Sequence, residues 1–399
     1  MFMTERTGGS DVGAIETTAR REGDHWLLNG LKWFCSNVDA RAIATLARPE
    51  GAPPGVKGLA LFLVPHTRRD GTPNGIHVRR IKDKLGTRVV PTGEVDFVDC
   101  EGYLLAGSDD PEAAYDGRGI NRMMEMVDTS RLGVATMGLG IMRRAFLEAA
   151  IYAARRVAFG QRIWEYAPVQ ETLVRMAVEV EAALALVLEA AQAGTMTGYG
   201  ERLYRVLVPL AKMRATRRGV ELAVQAVETI GGNGYIEDWP TARILRDAQC
   251  HTLWEGTENI ICLDVLRAAR KEQAHEALLD RIDAALAAAG HLPEAEVVRR
   301  ERLAAERAFR YVLAAQPREA QLKLRRAVEY LADVTQAALL LEAAAWQRDT
   351  DGSERGRVVA RIFARERLQQ PVARGIEDGD VTVLRHFEDI VCYRRVAEG

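Results

Sequence analysis

Aromatic side chains are scarce in this 399-residue chain, at 6%, while Ala, Leu, Arg and Glu crowd its second half. That balance argues for long helices over extensive sheet. Cysteine is equally thin. Cys35, Cys100, Cys250, Cys262 and Cys392 are scattered, odd in number and never spaced C-x-x-C. A disulfide framework and a thiolate metal site are thereby disfavoured, and a reducing cytoplasm is the expected setting. The seven histidines form no H-x-x-x-H pair, so no histidine metal centre is expected either. Charge of one sign is missing too. A formal net charge of -2 writes no global attraction to nucleic acid or anionic membrane into the sequence. Neither an apolar run of membrane-spanning length nor a signal-peptide pattern is visible. At 48% hydrophobic, the chain can still bury a large core divided among two or three domains.

Residues 10–107 read as β structure. His25-Trp26-Leu27-Leu28 and Leu31-Lys32-Trp33-Phe34 flank Asn29-Gly30, the dipeptide of a tight hairpin turn. Short strands are expected over 42–46, 59–64, 76–81 and 93–98, with turn-rich stretches at 49–55 and 69–75. The spacing suggests a compact barrel or sandwich. Helical periodicity takes over near residue 117, with helices expected at 117–158, 168–197, 201–230 and 257–270, as in an up-and-down bundle. A further helical tract from 271 to 399 has breaks near His291-Leu292-Pro293 and at 349–353. The expected fold is α+β: an antiparallel β-barrel domain (1–115), a four-helix bundle (116–270) and a C-terminal helical extension (271–399).

Three segments carry chemistry. In Leu253-Trp254-Glu255-Gly256-Thr257-Glu258-Asn259-Ile260, a carboxylate precedes a glycine at the start of a helix. Thr257 is expected to cap that helix with its hydroxyl, and Gly256 to permit the bend. Glu255, just outside the helix, can then face a cleft and take a proton. Met3-Thr4-Glu5-Arg6-Thr7-Gly8-Gly9-Ser10-Asp11 is rich in small and hydroxyl residues, so backbone amides there can approach a planar or anionic ligand. Lys32-Trp33-Phe34-Cys35-Ser36-Asn37 pairs aromatics with a hydroxyl, and Trp33 is expected in the barrel core.

Together these motifs resemble the acyl-CoA dehydrogenase flavoprotein family. MTERTGGSDV, NGLKWFCSN and KLGTRVVPTGEVDF are followed in order by SRLGVATMGLG, RRVAFGQRI, ETIGGNGY, RILRDAQ and LWEGTENI, over roughly residues 1–270. The resemblance implies FAD as cofactor. Main-chain atoms around Met3 and Thr4, with Phe34 and Ser36, would meet the flavin ring; Thr257 and Asn259 match positions near the flavin or its phosphate arm. Arg156, Phe159, Gln170 and the Gly231-Gly232 turn of a neighbouring chain would receive the adenosine end, so a homodimer or homotetramer is implied. Glu255 matches the base that removes the α-proton of an acyl-CoA thioester while the β-hydride leaves for flavin N5. Burial raises the basicity of such a carboxylate. The amide of Glu255 matches a donor to the thioester oxygen. Some members place the base one residue before the arginine of the preceding helix, a position held here by Ser130 before Arg131, leaving Glu255 as the sole candidate. Ser10, Asp128, Arg131 and Gly256 match positions along the substrate, with an Asp128–Arg131 ion pair as the structural alternative. An electron-transfer flavoprotein is the implied electron acceptor.

Two departures stand out. The family's N-terminal helical domain has no counterpart in these 399 residues, so the chain is expected to be truncated or to begin inside a larger protein, with its activity as it stands in doubt. The tract after residue 270 is additional. Trp254, the RRAF of residues 143–146 and the CLDVLR of residues 262–267 resemble the DNA-alkylation-response branch, whose C-terminal helices bind DNA. Residues 271–399 nevertheless hold 21 basic and 22 acidic side chains, so no positive field accompanies them. Basic clusters at Arg299-Arg300-Arg302, Lys323-Arg325-Arg326 and Arg361-Arg365-Arg367 are interleaved with acids, the pattern of a solvated helix face.

Overall fold

The computed structural model describes residues 1–105, 116–369 and 372–397, and the expected domain boundary at 115 lies outside them. The chain divides into two compact units, Met1–Thr129 and Ser130–Gly399.

The first unit is built on six strands: β1 (Thr18–Glu22), β2 (His25–Ser36), β3 (Ala42–Pro49), β4 (Ala60–Pro65), β5 (Ile76–Ile81) and β6 (Thr92–Leu104). They run in the order β2-β1-β3-β4-β6-β5, and an additional β2–β6 pairing closes the sheet into a barrel. Closure removes most of the unpaired edge, and the one strand left outside it, β5, is shielded by His77, Arg79 and Arg80 on an exposed surface. Leu28, Ile43, Phe62, Val64, Val95 and Phe97 fill the interior. Each such side chain contributes about 1.5–3 kcal/mol by leaving water.

Three expectations are corrected here. The barrel is not wholly antiparallel, because β1 and β3 pair in parallel through Thr18–Arg48 and Ala19–Pro49. Asn29-Gly30 is not a hairpin turn. β2 runs straight through it with a register shift, and the reversal lies one strand earlier at Gly23-Asp24. The reason is steric: a Cβ at Gly30 would lie 2.4 Å from Thr17 Oγ1 and 2.7 Å from Thr17 Cα, so glycine admits a close backbone approach. Asn29 meanwhile bonds Asp99 on β6 through both its amide nitrogen and its oxygen, each at 2.9 Å. Trp33 is not in the core. A second register shift between Lys32 and Cys35 turns both Trp33 and Phe34 off the inner face, while Lys32 and Cys35 are buried.

Long helices dominate the second unit. α1 (Gly119–Arg155) begins in the first unit and continues into the second; α2 (Ala167–Ala193), α3 (Tyr199–Ile230) and α5 (Glu258–Glu272) follow the expected spans. One helix escapes the sequence reading, α4 (Pro240–His251), whose N1 proline is preset for a helix start. Beyond it come α6 (Ala274–Ala288), α7 (Glu294–Ala314), α8 (Pro317–Asp351), α9 (Arg355–Arg367), α10 (Thr382–Arg385) and α11 (Phe387–Val391). Gln273 alone separates α5 from α6, in a left-handed conformation. Gly352, at φ +67, ends α8 inside the expected break. A single hydrophobic core runs from Ala135 to Val391, joining Leu186 and Leu207 of α2 and α3 to Leu331 and Leu341 of α8. Arg281 of α6 reinforces it by pairing with Glu189 of α2 at 2.7 Å and Glu342 of α8 at 2.5 Å.

Candidate active site

The arrangement starts from α4. Its last turn overwinds as the amides of Leu253 and Trp254 both donate to the Cys250 carbonyl, at 3.0 and 3.2 Å. The chain then reverses through Glu255, at φ +55, and Gly256, at φ +108. A left-handed glutamate costs of order 1–3 kcal/mol and persists only where its surroundings hold it. Thr257 occupies the expected cap position of α5, yet its hydroxyl makes no capping bond. Its carbonyl starts the helix by accepting from the Ile261 amide at 2.9 Å. Among the described residues, the amides of Glu255, Gly256 and Thr257 donate to no protein acceptor.

Three side chains hold the turn. Ser130 Oγ, on α1, donates to Glu255 Oε1 at 2.9 Å. Arg131 Nε donates to the Glu255 carbonyl at 3.0 Å. Lys212 Nζ, on α3, donates to the Gly256 carbonyl at 2.6 Å and to that of Thr252 at 3.3 Å. Arg131 is buried and pairs with Asp264 of α5 at 2.7 Å, and Arg205 meets the same carboxylate at 2.6 Å. Burial pushes the Asp264 carboxyl upward, but the two arginines outweigh it and hold it below its ordinary 3.8. Burial lowers Lys212 from 10.5 to about 8, with Arg131 adding to the effect and Glu255 and Glu258 opposing it. Glu255 and Gly256 thus share one turn that Arg131 of α1 reaches, with the Ser130 position supplying a donor instead of a second base.

Beyond that turn, Asn259 is exposed, and its side-chain oxygen accepts from Arg325 of α8 at 2.6 Å. Glu258 beside it pairs with Arg217 at 3.0 Å and Arg325 at 3.3 Å. Arg156 is exposed just after α1, where β7 (Val157–Ala158) and β8 (Gln161–Arg162) form a miniature hairpin. At its tip Phe159 stands 98% exposed with φ +52, its carbonyl receiving the Tyr166 hydroxyl at 3.2 Å. Gln170 is half-buried in the first turn of α2, and Gly231 and Gly232 are exposed as α3 ends, Gly231 at φ +76.

In the first unit, the Trp33 amide donates to the Thr4 carbonyl at 2.8 Å, fixing the Met3-Thr4 segment beside β2. Phe34 is 54% exposed, and Lys82 Nζ lies 3.6 Å from the Trp33 ring centroid and 4.7 Å from that of Phe34. Ser36 Oγ lies 3.3 Å from Thr92 Oγ1. Ser10 is exposed and Asp128 half-buried on α1. The sequence reading missed a buried pair beneath this segment: Lys32 Nζ meets Glu5 Oε1 at 2.7 Å, and Glu5 also accepts from the Glu16 amide at 2.6 Å. It missed Lys212 as well. That residue does carry a signal, since it falls in helical register with the apolar Val208, Ala211 and Ala215.

Among the described residues, no cluster of His, Cys, Asp and Glu could hold a metal ion, and no helix is long and apolar enough to cross a membrane. Residues 1–100 match the family model of the acyl-CoA dehydrogenase middle domain, and residues 117–270 that of its C-terminal domain. Acyl-CoA dehydrogenase family member 11 of Caenorhabditis elegans is 37% identical over 67% of this chain and 44% of its own length. The putative acyl-CoA dehydrogenase AidB of Escherichia coli (strain K12) is 36% identical over 68% of this chain and 48% of its own. The chain therefore spans about half the length of these curated relatives. The crystal structure of C. elegans ACDH-11 in complex with C11-CoA superposes with a TM-score of 0.80 at 30% identity, covering 93% of this chain and 64% of that one. Two consecutive family domains, matched in order and carried on the corresponding fold, place this chain in the acyl-CoA dehydrogenase family.

Proposed function

We propose that this chain takes part in the α,β-dehydrogenation of an acyl-CoA thioester, with Glu255 as the α-proton base. The observation carrying this reading is the turn itself: a half-buried carboxylate in a left-handed backbone, held by Ser130 and Arg131, and followed by amides with no acceptor among the described residues. FAD, when bound, supplies the acceptor for the β-hydride. The chain's own residues do the rest. The Ser130 hydroxyl donates to Glu255 Oε1 and so fixes the orientation of the carboxylate. The Glu255 amide donates to the thioester oxygen and so acidifies the α-carbon.

The residues suit such a cofactor. Phe34 offers an exposed aromatic face and Met3-Thr4 a fixed backbone, while Ser36, Thr257 and Asn259 offer polar contacts. Arg156, Phe159, Gln170, Gly231 and Gly232 are assigned to the adenosine end bound by a neighbouring chain of a homodimer or homotetramer. Arginine supplies a charged fork for the pyrophosphate, and the glycines allow close backbone approach. Ser10, Asp128, Arg131 and Gly256 are assigned to the substrate side, and an electron-transfer flavoprotein to reoxidation. The C11-CoA of the C. elegans structure, which aligns over most of the C-terminal helices too, supports a fatty acyl-CoA as the substrate class.

The DNA-binding alternative draws little support from the extension. Arg299, Arg300 and Arg302 pair with Glu296, Glu301 and Asp283, and Arg365 and Arg367 with Asp380 and Glu179, so these clusters are neutralised in place. The test of the dehydrogenase reading is Glu255→Gln. Flavin is expected to stay bound while dehydrogenation falls about 10²–10⁴-fold, the share of a positioned base. Turnover at the parent rate would refute the assignment.

A further inference from the structure

Lys212 is 1% exposed, and among the described residues its ammonium bonds to backbone carbonyls and to no carboxylate. An interior cation without a counter-ion is costly to maintain. Both of its hydrogen bonds go to one place, the carbonyls of Thr252 and Gly256 on either side of the base. A trans peptide directs its C=O and N–H in opposite directions. With the Gly256 carbonyl drawn to Lys212 and the Glu255 carbonyl to Arg131, the amides of Thr257 and Gly256 must point away from both cations. A carbonyl already bonded to a cation also makes the N–H of its peptide a stronger donor.

We propose that Lys212 is the positioning residue for the base: by holding the Thr252 and Gly256 carbonyls, its ammonium fixes the turn that carries the Glu255 carboxylate and the Glu255 amide. This rests on the assignment of Glu255 above. The charged and titratable groups facing this position are Arg131 from α1, Arg217 from α3, His251 from α4, and Glu255 and Glu258 from the turn and α5; Asp264 and Arg205 lie behind Arg131. Lys212 bonds to the backbone on both sides of Glu255.

The test uses the FAD-loaded chain as parent, Glu255→Gln, Lys212→Met and Lys212→Gln. For Lys212→Met, kcat is expected to fall about 10²-fold, the scale of a base displaced by about an ångström. KM for acyl-CoA and affinity for FAD should stay at parent values. Hydrogen exchange across residues 252–257 should accelerate while the rest of α3 is unchanged. Lys212→Gln keeps a neutral donor and should fall between the two; it is read in the same way if the methionine variant does not fold. Parent-like kcat, or unchanged exchange in the turn, overturns the proposal. If Glu255→Gln keeps the parent rate, the base assignment fails and this role falls with it. A slow Glu255→Gln beside a fast Lys212→Met rejects Lys212 alone.

Discussion

Burial of Lys212 predicts a stability that climbs with pH in a defined window. Its ordinary value is 10.5, and in the fold it titrates at about 8. Below about 8 the ammonium is charged in both states, and the folded chain carries the full cost of enclosing it. The gap from 10.5 to about 8 corresponds to roughly 3 kcal/mol. Between those values the unfolded chain holds the proton that the folded chain has released, so stability rises with pH. Lys212→Met lacks this titration. It instead leaves two carbonyls without their donor, at about 1–3 kcal/mol each, so near neutrality parent and variant should differ little. The stability difference, parent minus variant, should then move in the parent's favour by roughly 3 kcal/mol from pH 7 to pH 10.5. Urea unfolding of both proteins across that range, followed by circular dichroism, gives the difference directly. A difference that stays flat, or that favours the variant as pH rises, would refute an interior ammonium at this position.

Asp264→Ala should destabilise the helical unit by about 3–5 kcal/mol, because it removes a carboxylate that pairs with buried Arg131 and with Arg205; a urea midpoint at the parent value would contradict this. The carboxyl of Asp264 is held below 3.8, so its contribution is complete above 3.8 and is lost as pH falls through the folded value. Acid unfolding of Asp264→Asn should accordingly show a shallower loss below that pH than the parent. Phe159→Ala should leave the unfolding midpoint unchanged, since the ring is 98% exposed. It should also weaken FAD binding about tenfold, roughly 1.4 kcal/mol of lost contact. Flavin fluorescence titration decides the matter, and unaltered affinity would remove Phe159 from the cofactor site.

Long elements were readable because their signals are local. The spans 201–230 and 257–270 carry helical periodicity and end in glycine or basic residues, and the corresponding helices run Tyr199–Ile230 and Glu258–Glu272. Features set by distant neighbours were not readable. Asn29-Gly30 has the composition of a turn, but Thr17 and Asp99, remote in sequence, make it a bulge. Trp33 follows alternation into the core until a register shift against β6 turns it outward. Thr257 reads as a capping residue, yet the turn around it is held by Lys212 and Arg131 from other helices.

The ordered motifs sufficed to identify the family and to single out Glu255, because a carboxylate, a glycine and a helix start are adjacent residues whose relation needs no folding to be seen. What tertiary structure alone decided is how that carboxylate is held. Ser130, Arg131, Lys212 and Asp264 are separated by up to 134 positions, and no spacing rule connects them. They meet because α1, α3 and α5 bury their apolar faces in one core. That packing directs two cations onto the backbone of the turn, whose amides at Glu255, Gly256 and Thr257 meet no protein acceptor among the described residues.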